Sequence, residues 1–232
     1  MLAVVTGGSR GLGLQNAKDL RALGYDVVLV ASNEALLARV AEEIGADYRA
    51  VDLSNLEKTR HTFSEIVQSY GAPDVLLLAH GVMSEKMSKT LRTTTEEWRR
   101  VMAINLDSTF VIVNTVVPTM TELRSGRVIV YSACLGRMSG PGNAGGLAPY
   151  RISKAGVNAL VRNLAHETGL GGRGILVDAL CPNHTRTDMG GPDAPRSVEE
   201  GAATALWLAT RSFTPGSDTT GVLWEDQDVI DW

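Results

Sequence analysis

Leu2-Ala3-Val4-Val5-Thr6-Gly7-Gly8-Ser9-Arg10-Gly11-Leu12-Gly13 passes from an unbroken apolar run to a glycine-rich turn and then into a helical pattern. An apolar run without polar alternation suits a strand buried on both faces, as in a parallel sheet. The glycines permit a tight turn, let the backbone approach a ligand, and allow the helix to pack closely on the strand. Free N–H groups and the positive end of the helix dipole then face whatever lies over the turn, which suits a pyrophosphate. No Gly-Lys-Ser/Thr closes the pattern, so it is not a Walker A loop. A glycine pattern alone says little, but as the first turn of an alternating chain it predicts dinucleotide binding.

The alternation continues. Further apolar runs stand at Val27–Ala31, Asp47–Val51, Val75–Ala79, Arg127–Tyr131, Ile175–Leu180 and, more weakly, Val222–Trp224. Helical patterns lie between them at Gly13–Leu23, Glu34–Ile44, Asn55–Tyr70, Thr95–Leu123, Pro149–Thr168 and Ser197–Ala209. Gly24 and Gly45 follow the first two as helix-ending glycines. Strand–helix repetition predicts a doubly wound α/β fold with right-handed crossovers. No repeat or linker divides the chain, so residues 1–232 read as one dinucleotide-binding domain. The glycine-rich stretch Ser139–Ala148 is too short for a boundary and reads as a loop.

The composition is that of a globular chain, with 44% hydrophobic and 21% charged residues and a net charge of −4. No Lys/Arg cluster supplies the basic face of a nucleic-acid binder. The amino terminus lacks a basic region ahead of a long apolar core, so it is not a secretory signal. No apolar run reaches the ~18 residues of a membrane span. The expectation is a cytoplasmic protein with neither a membrane nor a nucleic-acid partner. Cys134 and Cys181 fit no metal-ligand spacing and read as two reduced thiols, and no metal is expected.

An NAD-preferring unit usually places a carboxylate after the second strand to accept the ribose hydroxyls. Here that stretch reads Val30-Ala31-Ser32-Asn33, with no carboxylate before Glu34. Arg10 can face a 2′-phosphate and Ser32 tolerates one, so NADP(H) is favoured over NAD(H). Farther on, Tyr150-Arg151-Ile152-Ser153-Lys154 sets a phenol and an ammonium four residues apart on one helix face. A phenol titrates near 10, too high for efficient acid–base work at neutral pH, and a neighbouring cation lowers it. Such a pair can protonate a carbonyl oxygen while hydride arrives from a nicotinamide, or run the reverse.

With these motifs in order, the chain resembles the short-chain dehydrogenase/reductase family along nearly its whole length. Thr6–Gly13 matches the family's Thr-Gly-x-x-x-Gly-x-Gly, and Asp52-Leu53 its adenine-contacting acidic position. Asn105 matches the catalytic asparagine, Tyr150 and Lys154 the catalytic pair, and Pro182–Thr187 the segment after the sixth strand that contacts the nicotinamide end. The carboxyl-terminal stretch looks most like carbonyl-reductase-like members. The resemblance implies a Rossmann-type domain with a seven-stranded parallel sheet flanked by helices, and a substrate loop near 183–200. It implies Tyr150 as general acid/base, Lys154 as the residue that lowers its pKa and binds the ribose, and Asn105 as support for a proton relay. Cofactor contacts would fall on Gly7, Ser9, Arg10, Leu12, Gly13, Ser32, Asp52, Leu53, Ala79, Gly81, Tyr150, Lys154, Pro182, Thr185 and Thr187.

The chain departs from the family pattern in three places. The catalytic serine's position, three before Gly136, holds Ala133; Ser132 and Ser139 are the candidates to replace it, or neither does. Adjacent strand residues point to opposite faces, so Ser132 substitutes only if the strand bends. Losing a carbonyl-orienting hydroxyl would cost about 1–3 kcal/mol of transition-state stabilisation. The family's Asn-Asn-Ala-Gly reads Leu78-Ala79-His80-Gly81, with His80 expected to be structural. Pro-Gly becomes Pro182-Asn183, where asparagine tolerates the left-handed conformation, followed by a loop histidine, His184.

Val101–Val117 is apolar enough for a partner surface as well as core, so monomer or homo-oligomer stays open. Trp207, Trp224 and Trp232 can wall a pocket or fill the core, and Met83 and Met87 lie on a loop expected near the site. The expectation is an NADP(H)-dependent oxidoreductase that interconverts a small-molecule ketone and alcohol. The alternative is a scaffold of the same family with a non-redox role, as a nucleotide-binding regulator or an isomerase or cyclase.

Overall fold

Strand β1 (Leu2–Thr6) is buried along its length and divides its side chains between two apolar layers. Val4 joins one layer, while Ala3 and Val5 join the other. This is why the run carries no polar alternation. The computed structural model describes residues 1–85, 88–140 and 145–232. In it β1 lies between β2 (Asp26–Ala31) and β4 (Val75–Leu78), with Val4 opposite Val28 on one side and Leu76 on the other. The sheet continues through β3 (Asp47–Ala50) beyond β2, and through β5 (Gly126–Tyr131), β6 (Ile175–Leu180), β7 (Leu223–Glu225) and β8 (Asp228–Ile230) beyond β4.

The strand order 3-2-1-4-5-6-7-8 makes β1/β4 the place where the winding reverses, and ligands of open α/β sheets bind outside the carboxyl ends of the strands there. Strands β1–β7 are parallel, and β8 corrects the seven-strand expectation. Asp226 and Gln227, at φ 52° and 68°, form a tight reversal that lays β8 antiparallel on β7. A three-residue strand entered through Asp-Gln offers neither a periodicity nor a glycine turn signal.

Helices α1 (Gly11–Ala22), α2 (Glu34–Ile44) and α7 (Val198–Thr210) supply Leu20, Leu37 and Leu208 to one layer. Helices α3 (Leu56–Tyr70), α5 (Ser108–Leu123) and α6 (Ala148–Glu167) supply Phe63, Met120 and Val161 to the other. Helix α4 (Thr95–Met102) runs into α5 through a single π-helical turn, Ala103–Asp107. The resulting Thr95–Leu123 helix is long and apolar enough to cross a membrane by composition, a reading that the sequence runs did not foresee. Ile112, Val116 and Met120 bury one side of it in the core.

Cys134 and Cys181 are disulfide-bonded, with Cα atoms 5.6 Å apart, and not the free thiols expected. Their separation of 47 residues disappears in space because β5 and β6 are neighbours, Tyr131 pairing with Leu180. The tryptophans are packing residues. Trp207 and Trp224 meet edge to face at 5.0 Å, with the Arg211 guanidinium 4.8 Å from each ring. Trp232 packs on the layer that contains α6.

Candidate active site

A cleft of about 470 Å³ opens at the carboxyl ends of β1 and β4. One wall is the glycine turn. Gly7 and Gly11 have φ of +65° and +55°, conformations that a side chain strains. A Cβ on Gly7 would sit 3.0 Å from the Ala79 carbonyl, and one on Gly13 would collide with the Gly7 carbonyl, so strand end and helix touch backbone to backbone. Helices α2, α3, α4 and α7 have their first amides capped by the side chains of Asn33, Asn55, Thr94 and Ser197. Helix α1 has no side-chain cap and no acidic residue in its first turn. Its free amides face the cleft, as an anion-binding helix start requires. The residues present therefore fit a dinucleotide.

At the other end of the cleft lie Ser32 and Asp52, the latter accepting from Ser54 N and Oγ at 2.9 and 2.8 Å. Asn33 is occupied in capping α2. Arg10 stands at the mouth, its guanidinium 2.6 Å from Asp188 in a pair exposed on both sides. A solvated pair of this kind contributes at most ~1 kcal/mol, so Arg10 is free to turn toward an incoming charge.

The end of β4 is organised by His80, which is buried. Ser108 Oγ donates to the Ile104 carbonyl at 2.7 Å, so it accepts from His80 Nε2 at 2.9 Å. Thr6 Oγ1 accepts from Ala79 N at 3.1 Å and donates to His80 Nδ1 at 2.6 Å. The chain of donors fixes one neutral tautomer and ties the glycine turn to the π turn. Burial, then the nearby Lys154 charge, drives the imidazole down to about 3, with the Ile104 carbonyl opposing. His80 thus holds the end of β4 to β1 and to the start of α5.

Asn105, in the π turn, is buried and bonds Val82 in both directions: its Oδ1 accepts from Val82 N at 2.8 Å and its Nδ2 donates to Val82 O at 3.0 Å. The same amide donates to Ser153 Oγ at 3.0 Å. A Cβ on Gly81 would lie 3.4 Å from Asn105 Oδ1 and 3.5 Å from Lys154 Nζ, so the two side chains converge on that glycine. Asn105 itself stays behind the cleft wall.

Helix α6 begins with Pro149 in its first turn and presents Tyr150 and Lys154 to the cleft. Ser84 Oγ accepts from Tyr150 N at 3.0 Å, an anchor that sequence reasoning missed because no motif marks it. Lys154 Nζ lies 5.9 Å from the Tyr150 ring centre and donates to the Tyr131 carbonyl at 2.7 Å. Burial lowers the ammonium to about 8 and raises the phenol to about 12. Burial is the cause in both cases, for both groups lie out of water.

Ser132 borders the cleft, but its hydroxyl donates to Asn158 Oδ1 and lies 3.4 Å from the Lys154 carbonyl. Ser139 lies at the carboxyl terminus, 3.5 Å from the Trp232 carbonyl. Asn183 takes the left-handed conformation, φ 60°, that Pro182-Asn183 requires. His184 Nε2 meets the Gly190 carbonyl at 2.7 Å, closing its own loop. Thr187 reaches the glycine turn: its Cγ2 would be 3.3 Å from a Cβ on Gly11. Thr185 does not line the cleft; buried, it donates to the Pro182 carbonyl at 3.1 Å and holds the turn. Trp207, Trp224 and Trp232 are not among the described residues that line the cleft. Met87, and the loop stretch 141–144, lie outside the described residues.

A doubly wound sheet, an uncapped glycine-turn helix and a buried Tyr/Lys pair on one cleft mark an oxidoreductase scaffold. The comparisons agree. The chain matches the family model for short chain dehydrogenase over residues 1–197, and it belongs to that family. It is 33% identical over 193 residues to a 3-oxoacyl-[acyl-carrier-protein] reductase FabG of Staphylococcus aureus (strain Mu50 / ATCC 700699), covering 81% of this chain and 75% of that one. A short chain dehydrogenase from Salmonella enterica subsp. enterica serovar Typhi str. CT18 superposes with a TM-score of 0.84 at 24% identity, covering 96% and 94% of the two chains. A ribose-5-phosphate isomerase from Brucella melitensis 16M superposes at 0.83 with 26% identity, covering 96% and 88%.

Proposed function

We propose that the protein is a single-domain, cytoplasmic, NADP(H)-dependent reductase that converts a ketone to a secondary alcohol. The reading rests most on one observation: Tyr150 and Lys154 lie buried on the same cleft as the uncapped start of α1. When bound, a nicotinamide cofactor supplies hydride. The chain's residues position it and manage the proton. The α1 amides would hold the pyrophosphate with Ser9, Leu12 and Thr187 beside it, and Asp52 and Leu53 would take the adenine end. Arg10, now paired with Asp188, would meet a 2′-phosphate beside Ser32, in a stretch, Val30–Asn33, that holds no carboxylate. Ala79, Gly81 and Pro182 would flank the nicotinamide end, and Lys154 would take the ribose hydroxyls.

Tyr150 Oη is the proton donor to the carbonyl oxygen. Raised to about 12, it stays protonated across the physiological range, the state that reduction needs. Lys154, near 8, is charged at neutral pH and stabilises the phenolate left after transfer. The curated relatives are named for 3-oxoacyl groups on acyl carrier protein, so 3-oxoacyl thioesters are the first ketones to try.

A fluorescence titration with NADPH and NADH, followed by oxidation of NADPH in the presence of a 3-oxoacyl thioester, tests the reading. Micromolar or tighter NADPH binding, weaker NADH binding and turnover that falls about 10²- to 10⁴-fold in Tyr150→Phe with binding intact are expected. Absence of binding to either nucleotide refutes it. The non-redox alternative draws on the hydroxyl missing at Ala133 and on the likeness to the Brucella protein, which is named an isomerase. Tight NADPH binding without turnover of any ketone would favour that alternative.

A further inference from the structure

We propose that Cys134 and Cys181 form a reversible thiol–disulfide exchange site, acted on by small-molecule thiols and disulfides, that controls how firmly the cleft holds its nucleotide. The effect on affinity rests on the nucleotide reading above; the exchange chemistry does not. The two sulfurs are bonded across the carboxyl ends of adjacent strands, one directly after Ala133 and the other directly before Pro182. The bond therefore ties the strand end that borders the cleft at Ser132 to the segment that reaches the glycine turn through Thr187.

The surroundings of the two sulfurs differ in a way that exchange can use. Cys134 is half-buried and Cys181 buried, so an incoming thiolate meets Cys134 Sγ first. Cys134 N donates to Cys181 Sγ at 3.0 Å, a hydrogen bond placed to hold the charge of the thiolate that leaves. Glu225 Oε2 lies 2.8 Å from Cys134 Sγ, and Asn183 Oδ1 3.7 Å from it. A disulfide sulfur has no proton to give that carboxylate, whereas a thiol does, so the geometry around Cys134 also fits the reduced state. In a cytoplasmic protein a disulfide is characteristically transient or redox-sensing and not a permanent brace.

The chemistry balances without an added oxidant. A small thiolate RS⁻ attacks Cys134 Sγ, the Cys134–Cys181 bond breaks, and Cys181 leaves as thiolate and takes up a proton. A second RS⁻ attacks the mixed disulfide, giving RSSR and the Cys134 thiolate, which is protonated and donates to Glu225. The reverse sequence consumes one RSSR and releases two RSH. Two electrons pass in each direction.

The test equilibrates the whole protein in graded mixtures of a reduced and an oxidised small thiol, reading intact mass, NADPH affinity and proteolysis within 183–200. The expected result is a mass difference of two hydrogens between end states. Reduction weakens NADPH binding about three- to tenfold, the cost of ordering a few loop side chains, and speeds cleavage in the loop. Both changes reverse on reoxidation and are absent in Cys181→Ser. A protein that keeps the same thiol count throughout, or equal affinity and cleavage in both states, overturns the proposal. Stable capture of cadmium by the reduced protein, with no disulfide returning on addition of RSSR, overturns it in favour of a metal site built from Cys134, Cys181 and Glu225. Loss of NADPH binding in both states, with the mass and cleavage changes intact, counts against the nucleotide reading and leaves the exchange site standing.

Discussion

His80 makes the protein's stability depend on pH by an amount that follows from its surroundings. Folded, the imidazole keeps a neutral tautomer down to about pH 3, because burial and the Lys154 charge oppose protonation. Unfolded, a histidine titrates near 6.5. Above that value both states are neutral and the contribution of His80 is fully present. Below it the unfolded chain takes up a proton that the folded protein refuses, so stability is lost as pH falls from about 6.5 toward 3. At ~1.36 kcal/mol per pH unit, lowering the pH to 5.0 spans about 1.5 units and costs ~2 kcal/mol through this residue.

Urea unfolding of the parent protein and of His80→Gln, each at pH 7.5 and pH 5.0, isolates this term. Carboxylates elsewhere titrate alike in both proteins and cancel in the difference. The parent should lose about 2 kcal/mol more than the variant over that interval. A difference below about 0.5 kcal/mol would show that the imidazole protonates readily in the folded state. The donor chain from Ala79 N to the Ile104 carbonyl would then be wrongly assigned.

Three further predictions concern the cleft and its support. Arg10→Ala should weaken NADPH binding by about 10- to 100-fold, the loss of one charge-assisted contact to a phosphate. NADH binding should change little, and equal losses for both nucleotides would remove Arg10 from the 2′-phosphate. Ser132→Ala should leave kcat within about threefold, because its hydroxyl is spent on Asn158; a fall beyond about 100-fold in steady-state turnover would restore Ser132 as the carbonyl-orienting group. Arg211→Ala should lower stability by about 3 kcal/mol in chemical denaturation, since it strands Asp178, 3.1 Å away, as a buried carboxylate. A cost below about 1 kcal/mol would mean that Thr220, Gly221 and Trp224 satisfy Asp178 alone.

The sequence carried the repeating part of the fold because burial on both faces leaves a signal that does not depend on neighbours. Leu2–Val5 reads as a strand because every residue in it meets an apolar layer, and Glu34–Ile44 as a helix because Asn33 and Gly45 bound it. Strand β8 was illegible because three residues have no period and Asp226-Gln227 adopts the turn without glycine. The Tyr150/Lys154 spacing was legible for the same local reason: one helix turn puts both on one face. Their titration was not, since it depends on burial by β5, Gly136 and the β4 loop. Thr185 and Thr187 lie two apart in a segment without regular structure, and only the fold shows that Thr187 reaches the glycine turn while Thr185 turns inward. The disulfide was hidden by the same limit, as 47 intervening residues say nothing about which strands are neighbours.

The burial that raises the Tyr150 phenol also bears on the direction of reaction. A phenol near 12 must surrender its proton to serve as base in alcohol oxidation, and at neutral pH that costs about 7 kcal/mol if nothing else changes. As an acid it is already in the working form. Lys154 keeps two N–H groups besides the one it gives the Tyr131 carbonyl, and its charge, 5.9 Å from the Tyr150 ring, reduces the cost of the phenolate while it stays protonated. The free protein is thus set for proton donation. Reduction and oxidation should therefore differ most in their pH profiles. The kcat/KM for reduction should decline as pH rises past about 8, where free Lys154 loses its charge, while Tyr150 remains protonated.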